Sequence, residues 1–307
     1  MNRRAILKGA LGGVVGLTLP PFARSAFSQE SPAVVPVSDG FVMLTGAGGN
    51  VLVRTASTGQ VLVDSGAAEF TDAVLKRLRE LPGAGHMTTV FNTHWHREQV
   101  GGNLAFGRSE AKIIAHEKTR AHLATDYYLW GEGRYEKALP AAAHPTVTFF
   151  TGDQMFAGDK RIEYGHLIEA HTDGDIYVFF RDANVLAAGD AISPVNDPVL
   201  DWFGGGWLGG RADSQEKLLK LCDEKTRIVP SYGPVVGRAE LQTEFDVTRV
   251  LFDRMLDQVK KGMSAQDMLD AGLMKDLPRT FRDPFKFAYD AHKGYWAHHN
   301  SLAPNLL

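Results

Sequence analysis

The sequence predicts an α/β fold in which helices cover a pair of sheets, and three observations predict it. Short β-type runs bounded by Gly, Pro or Asp turns occupy two separate stretches of the chain. Segments with apolar residues at helical spacing follow each of them. With 307 residues and 44% apolar content, the chain can bury a sizeable core, as one large domain or two small ones.

In chain order, Glu30 to Ser38 reads as a Pro-containing approach. The runs Phe41 to Leu44, Val51 to Thr55 and Gln60 to Asp64, separated by Gly-rich turns such as Gly46-Ala47-Gly48-Gly49, read as a β-meander. From Phe70 to Leu81, Val74, Leu75, Leu78 and Leu81 share a helix face opposite Lys76, Arg77 and Arg79, and Pro82-Gly83 ends the helix. A strand at Thr89 to Asn92 follows. The second strand-rich stretch holds Val147 to Phe150, Arg161 to Tyr164, Ile176 to Phe180 and Asn184 to Ala188. Helices return at Ser214 to Cys222 and at Glu240 to Lys260, where Leu241, Phe245, Phe252, Met255 and Val259 form one apolar stripe. The aromatic-rich tail from Ser264 to Leu307 reads as a helical extension packed on the domain, with a homodimer contact as one use. Its His292, His298 and His299 read as exposed polar side chains.

The first 28 residues differ in composition. Arg3-Arg4 and Lys8 precede a moderately apolar stretch from Gly9 to Leu19, and Pro20-Pro21 leads to the small residues around Ala23 to Ala26. This is the pattern of a removable export signal, and the paired arginines with Ile6-Leu7-Lys8 resemble the twin-arginine type, which implies a periplasmic protein. The apolar run is too short to span a membrane comfortably, so no stable span is expected after its removal. Removal also leaves 29 basic against 36 acidic residues, a net charge of about −7, which disfavours a nucleic-acid partner. Cys222 is the only cysteine, so an intrachain disulfide and thiolate zinc clusters are excluded. Any metal must be held by His and oxygen ligands.

The segment Asn92-Thr93-His94-Trp95-His96-Arg97-Glu98-Gln99 follows a predicted strand and precedes Val100-Gly101-Gly102-Asn103. Two imidazoles two positions apart on extended backbone lie on the same side and can face one cation. The run Trp202 to Gly210 combines aromatics with Gly and reads as a pocket wall or lid, and Asp126 to Trp130 as a facing wall. Trp95 reads as a packing residue.

These residues resemble the metallo-β-lactamase superfamily, whose loop signature is His-x-His-x-Asp-His. Glu98 stands where that family has Asp, and Gln99 where it has the last His. Further matches follow in the family's order: Val61-Leu62-Val63-Asp64-Ser65-Gly66, Ala170-His171-Thr172-Asp173-Gly174-Asp175 and Ala188-Gly189-Asp190-Ala191. The family's closing strand and His-Gly pair appear as Ile228-Val229-Pro230-Ser231-Tyr232-Gly233, with Tyr232 in the His position. The likeness spans roughly residues 40 to 240. It implies a four-layer αββα sandwich over residues 29–263, followed by the 264–307 extension.

The resemblance assigns His94, His96 and His171 to a three-imidazole metal site with an open position for water. Asp190 becomes a bridging ligand, an orienter of water or a turn cap. Glu98 becomes a ligand or a general base. Tyr232 donates to an oxyanion or packs in the core, and Asp64 and Asp173 support the ligands. Because an amide and a phenol are poor zinc ligands, one tightly bound zinc is expected, the second position being weak, absent, or filled by iron or manganese. The expected function is an exported hydrolase that uses metal-bound hydroxide on a small carbonyl substrate: an ester, lactone, thioester or amide, with a β-lactam less favoured. Two rivals are a non-catalytic periplasmic small-ligand or quinoprotein accessory protein, and an iron-dependent oxygen-related enzyme.

Overall fold

The computed structural model describes residues 31–57, 59–84, 87–129 and 134–302. The segment read as an export signal lies outside them, as do Trp130 and the last five residues. The chain begins with a meander of β1 (Ala33–Ser38), β2 (Phe41–Ala47), β3 (Gly49–Ala56) and β4 (Gly59–Val63), then crosses through α1 (Thr71–Glu80) to β5 (Met87–Phe91). The helices α2 (Arg97–Val100) and α3 (Asn103–Arg108) lead to β6 (Lys112–His116) and α4 (Glu117–Leu123). A small hairpin of β7 (Tyr127–Leu129) and β8 (Arg134–Glu136) precedes β9 (Val147–Phe149). There follow β10 (Gly152–Ala157), β11 (Lys160–His166), β12 (Ile176–Phe180), β13 (Val185–Gly189), α5 (Leu208–Leu221) and β14 (Arg227–Pro230). The chain closes with α6 (Arg238–Val259), α7 (Ala265–Asp270) and α8 (Pro284–Leu302).

Two sheets result, in the orders β1-β2-β3-β4-β5-β6-β9 and β10-β11-β12-β13-β14. Pairing is antiparallel through each meander and becomes parallel where a helix intervenes, at β4-β5-β6-β9 and at β13-β14. Strand alternation assigns the two faces. Val61 and Val63 of β4 join the cluster that also contains Ile162, Ile176, Val178 and Val229 of the second sheet, while Leu62 between them packs with Val74 and Leu78 of α1. On the far side, Phe179 and Leu186 pack with Leu218 of α5 and Leu241 of α6. The layers are therefore helix, sheet, sheet, helix. A further cluster joins Met255 of α6, Met268 of α7 and Phe287, Ala288 and Ala291 of α8.

Several elements depart from the sequence reading. The Pro-containing approach is the edge strand β1, where Pro36 is tolerated because an edge leaves one row of amides unpaired. The strand β6 was not anticipated: Ile113-Ile114-Ala115 is a short apolar run without alternation, and both its faces are buried. Helix α5 starts at Leu208, well before Ser214, and runs through Gly209-Gly210. Gly210 serves close approach there, since a Cβ would lie 2.4 Å from the carbonyl oxygen of Glu169. His298 is not a simple exposed polar group: it stacks on Trp207 at 3.8 Å and binds Glu169 at 2.6 Å.

Candidate metal centre

All the predicted site segments leave their strands at one edge of the sandwich. Asp64 follows β4, His94 and His96 follow β5, His171 lies between β11 and β12, Asp190 follows β13, and Ser231-Tyr232 follow β14. The ligating atoms of His94, His96 and His171 lie within 4.8 Å of one another. The rings stand nearly perpendicular in every pairing, at 81°, 87° and 85°, with centroids 4.7–4.9 Å apart.

Hydrogen bonds behind each ring assign its tautomer. The backbone amide and hydroxyl of Thr93 donate to Asp64 at 2.7 and 2.8 Å, so the Thr93 oxygen is left to accept from Nδ1 of His94 at 3.1 Å. Nδ1 of His171 donates to the carbonyl of Val199 at 2.8 Å, and Nε2 of His96 faces the Asp201 carboxylate at 3.0 Å. Three ring nitrogens then turn inward: Nε2 of His94, Nδ1 of His96 and Nε2 of His171. Nε2 of His94 is buried without a hydrogen-bond partner. Nδ1 of His96 and Nε2 of His171 face each other at 3.0 Å. At that distance the two nitrogens either share a proton or turn both lone pairs toward a cation. Tetrahedral zinc, with Zn–N near 2.0–2.1 Å, would separate such nitrogens by about 3.3 Å, so the donor set fits a cation.

Burial, with the neighbouring imidazoles adding to it, holds His94 well below the usual histidine range and His171 at about 3. Both are thus neutral and ready to ligate. Burial works the same way on His96, but the Asp201 hydrogen bond and charge outweigh it and raise that ring. Burial lifts Asp190 to about 6, against the pull of His96 and Arg211, and its Oδ2 lies 3.4 Å from Nε2 of His94 and 3.8 Å from Nε2 of His171. A cation among these groups would favour the ionised carboxylate. Tyr232 is pushed up to about 12 by burial and by Asp190, which keeps its hydroxyl a donor. Glu98 is exposed on α2 and stands outside the imidazole cluster. Gln99 is buried, with neither amide atom in a well-formed hydrogen bond.

A cavity of about 220 Å³ opens on the site, lined by His96, Glu98, His171, Asp190, Tyr232 and the loop from Ile192 to Val199. A second of about 340 Å³ adjoins it across His96 and Glu98, with Trp95, Trp202 and Lys286 among its walls. The aromatic glycine run thus gives Trp202 to the second cavity, while the first is walled by a loop the sequence did not mark. Tyr127 lies against Trp95 and Phe203 and lines neither cavity.

Three further supports escaped the sequence reading. Asp201 orients His96. Asp175 accepts from the backbone of His171 and Thr172, at 2.5 and 2.9 Å, and fixes that turn. Arg211, fully buried on α5, donates to the Asp190 carbonyl at 2.6 Å and binds Glu244 of α6 at 2.6 Å, while Glu244 accepts from the Ser193 amide. This buried pair anchors the loop that carries Asp190. No local pattern marks Asp201 or Arg211, because their partners are distant in sequence.

Two packed sheets with helices outside and an imidazole cluster at their common edge define a metal-site sandwich. The family model of the metallo-beta-lactamase superfamily matches residues 44–232, and the chain belongs to that superfamily, whose members are mostly metal-dependent hydrolases. Two curated relatives, both named metallo-beta-lactamase type 2, come from Bacillus cereus and Bacillus sp. (strain 170). They are 25% and 26% identical over 201 residues, covering 65% of this chain and 73% and 72% of theirs. Among solved structures, a metallo-beta-lactamase from Pontibacter korlensis superposes with a TM-score of 0.57 at 19% identity, over 71% of this chain and 99% of that one. A stereoselective inverting sec-alkylsulfatase from Pseudomonas sp. gives 0.64 at 14% identity, over 88% of this chain and 50% of that one. At those identities the superpositions show the fold alone.

Proposed function

We propose that this protein is an exported, single-metal hydrolase of a small carbonyl compound, an ester, lactone, thioester or amide. The observation that carries the reading is the convergence of three imidazoles whose ligating atoms lie within 4.8 Å of one another, with Nε2 of His94 buried and unpartnered among them. A three-imidazole set suits zinc, which would supply a water of lowered pKa and polarise a substrate oxygen. Gln99 and Tyr232, standing where the family has imidazoles, argue for one firmly held ion.

The remaining roles belong to the chain's own groups. Asp190, whose Oδ2 is the carboxylate oxygen facing the imidazoles, takes the proton of the attacking water. Glu98, exposed at the cavity mouth, relays that proton to the departing oxygen, sulfur or nitrogen as its bond to the carbonyl carbon breaks. Tyr232 donates its hydroxyl to the substrate oxygen as the carbon becomes tetrahedral. The loop from Ile192 to Val199 closes one side of the cavity and limits water there.

The test is a panel of esters, lactones, thioesters and amides, assayed with and without chelator, for the wild type and His96→Ala. Chelator-sensitive turnover on at least one class, reduced by about 100-fold or more in the variant, is expected. Turnover that survives both treatments would remove the reading.

A further inference from the structure

The walls of the two cavities carry a charge pattern that bears on the substrate class, given the hydrolase reading above. Glu98, Asp190 and Asp197 line the first cavity, and no lysine or arginine does. The second adds Glu136, Asp201 and Asp290 and holds two side-chain cations, Arg97 and Lys286.

Both cations are already committed to carboxylates of the same wall. Nε of Arg97 binds Glu136 at 2.6 Å, and the guanidinium also donates to the Lys137 carbonyl. Its Nη1 is sealed from solvent and out of a ligand's reach. Nζ of Lys286 binds Asp290 at 2.5 Å, one helical turn along α8. Counting a divalent cation on the imidazoles, the carboxylates still outnumber the positive charges. The surfaces between them are aromatic or apolar, from Trp95, Trp202, Val199 and Leu200. An anionic group entering the second cavity meets carboxylates and apolar walls, or must compete with an existing ion pair. An ammonium group meets the exposed carboxylate of Glu98 and the indole of Trp202.

We propose that the site selects substrates whose distal end is neutral or cationic and turns away those bearing a carboxylate, sulfate or phosphate there. Lys286 and Arg97 act as fixed parts of the wall, not as anion anchors. Lys286 and Asp290 lie beyond the stretch matched by the family model, so this part of the wall is supplied by the C-terminal helix of this chain.

Three matched esters test this, identical but for a distal trimethylammonium, hydroxyl or carboxylate group. Binding of each ester's alcohol product and of the intact ester to the metal-loaded protein is read by calorimetry, and kcat/KM is read alongside. The ammonium and hydroxyl members should bind at least about tenfold more tightly than the carboxylate at about 0.01 M salt, and the gap should narrow at about 1 M, where the screening length falls to about 3 Å. A Glu136→Gln/Asp290→Asn variant, which frees both cations without touching the imidazoles, should erase the gap or reverse it. A carboxylate that binds as tightly as the hydroxyl member, a gap that the variant leaves unmoved, or no binding by any member overturns the proposal. Failure of the hydrolase reading looks different: the binding order holds while no ester is turned over.

Discussion

Each imidazole of the cluster is held by a hydrogen bond on its far nitrogen, and the identity of that partner decides how well the near nitrogen can ligate. His96 depends on Asp201, a carboxylate 105 positions away that is stitched in turn to the His171 segment by its own amide, 3.0 Å from the His171 carbonyl. Replacing Asp201 by Asn removes the charge but keeps the shape. The expected result is a metal affinity about 10–100-fold weaker, measured by competition with a chromophoric chelator, with the fold intact by circular dichroism. Unchanged affinity would show that Asp201 only packs. At this scale the sequence was informative where residue type and spacing coincide. His94 and His96 lie two positions apart in the loop after β5 and do converge, although that loop bends at Thr93 to Trp95, and His171 and Asp190 followed from the family's order of motifs. Asp201 and Arg211 could not be read, since each acts on a segment distant in sequence and nothing in its own neighbourhood distinguishes it from a surface charge.

Most strands and the helices α1 and α6 were legible because alternation and the helical stripe are properties of the element itself. Elements buried on both faces, such as β6, lose alternation and with it their signal. The glycine run before α5 misled for a different reason: its glycines supply close contact more than mobility. Gly206 is the clearest case, since a Cβ there would lie 1.9 Å from the carbonyl oxygen of His171. Gly206→Ala must therefore move the Asp201–Trp207 loop away from the His171 segment. The variant should lose about 2 kcal/mol or more of stability in urea and bind metal more weakly than the wild type, because Asp201 moves with the loop. A variant with wild-type midpoint and affinity would mean that the loop yields without cost.

The whole molecule couples its stability to pH through groups away from the metal cluster. His116 and His166 stack with ring centroids 3.9 Å apart, and burial together with the His116 charge lowers His166 from 6.5 to about 4. A histidine depressed in the folded state binds its proton more readily when unfolded, so its contribution is complete above about pH 6.5 and is lost as pH falls through about 4. Lys118 and Lys217 add to the depression, and the Asp173 carbonyl opposes it. Urea midpoints measured from pH 7.5 down to pH 4.5 should fall, and His166→Gln should flatten that fall; an equal slope in both proteins would place the acid sensitivity elsewhere. The αββα layering itself was legible in outline, as paired sheets with helices outside. The docking of α8 against α6 and α7 rests on long-range packing that no local pattern encodes. Whether three imidazoles from two sheets hold one cation is decided by elemental analysis of protein folded in its native host, alongside His94→Ala, His96→Ala and His171→Ala. About one transition metal per chain is expected in the wild type and much less in each variant. Equal metal in wild type and variants, or two tightly held zinc ions per chain, would contradict it.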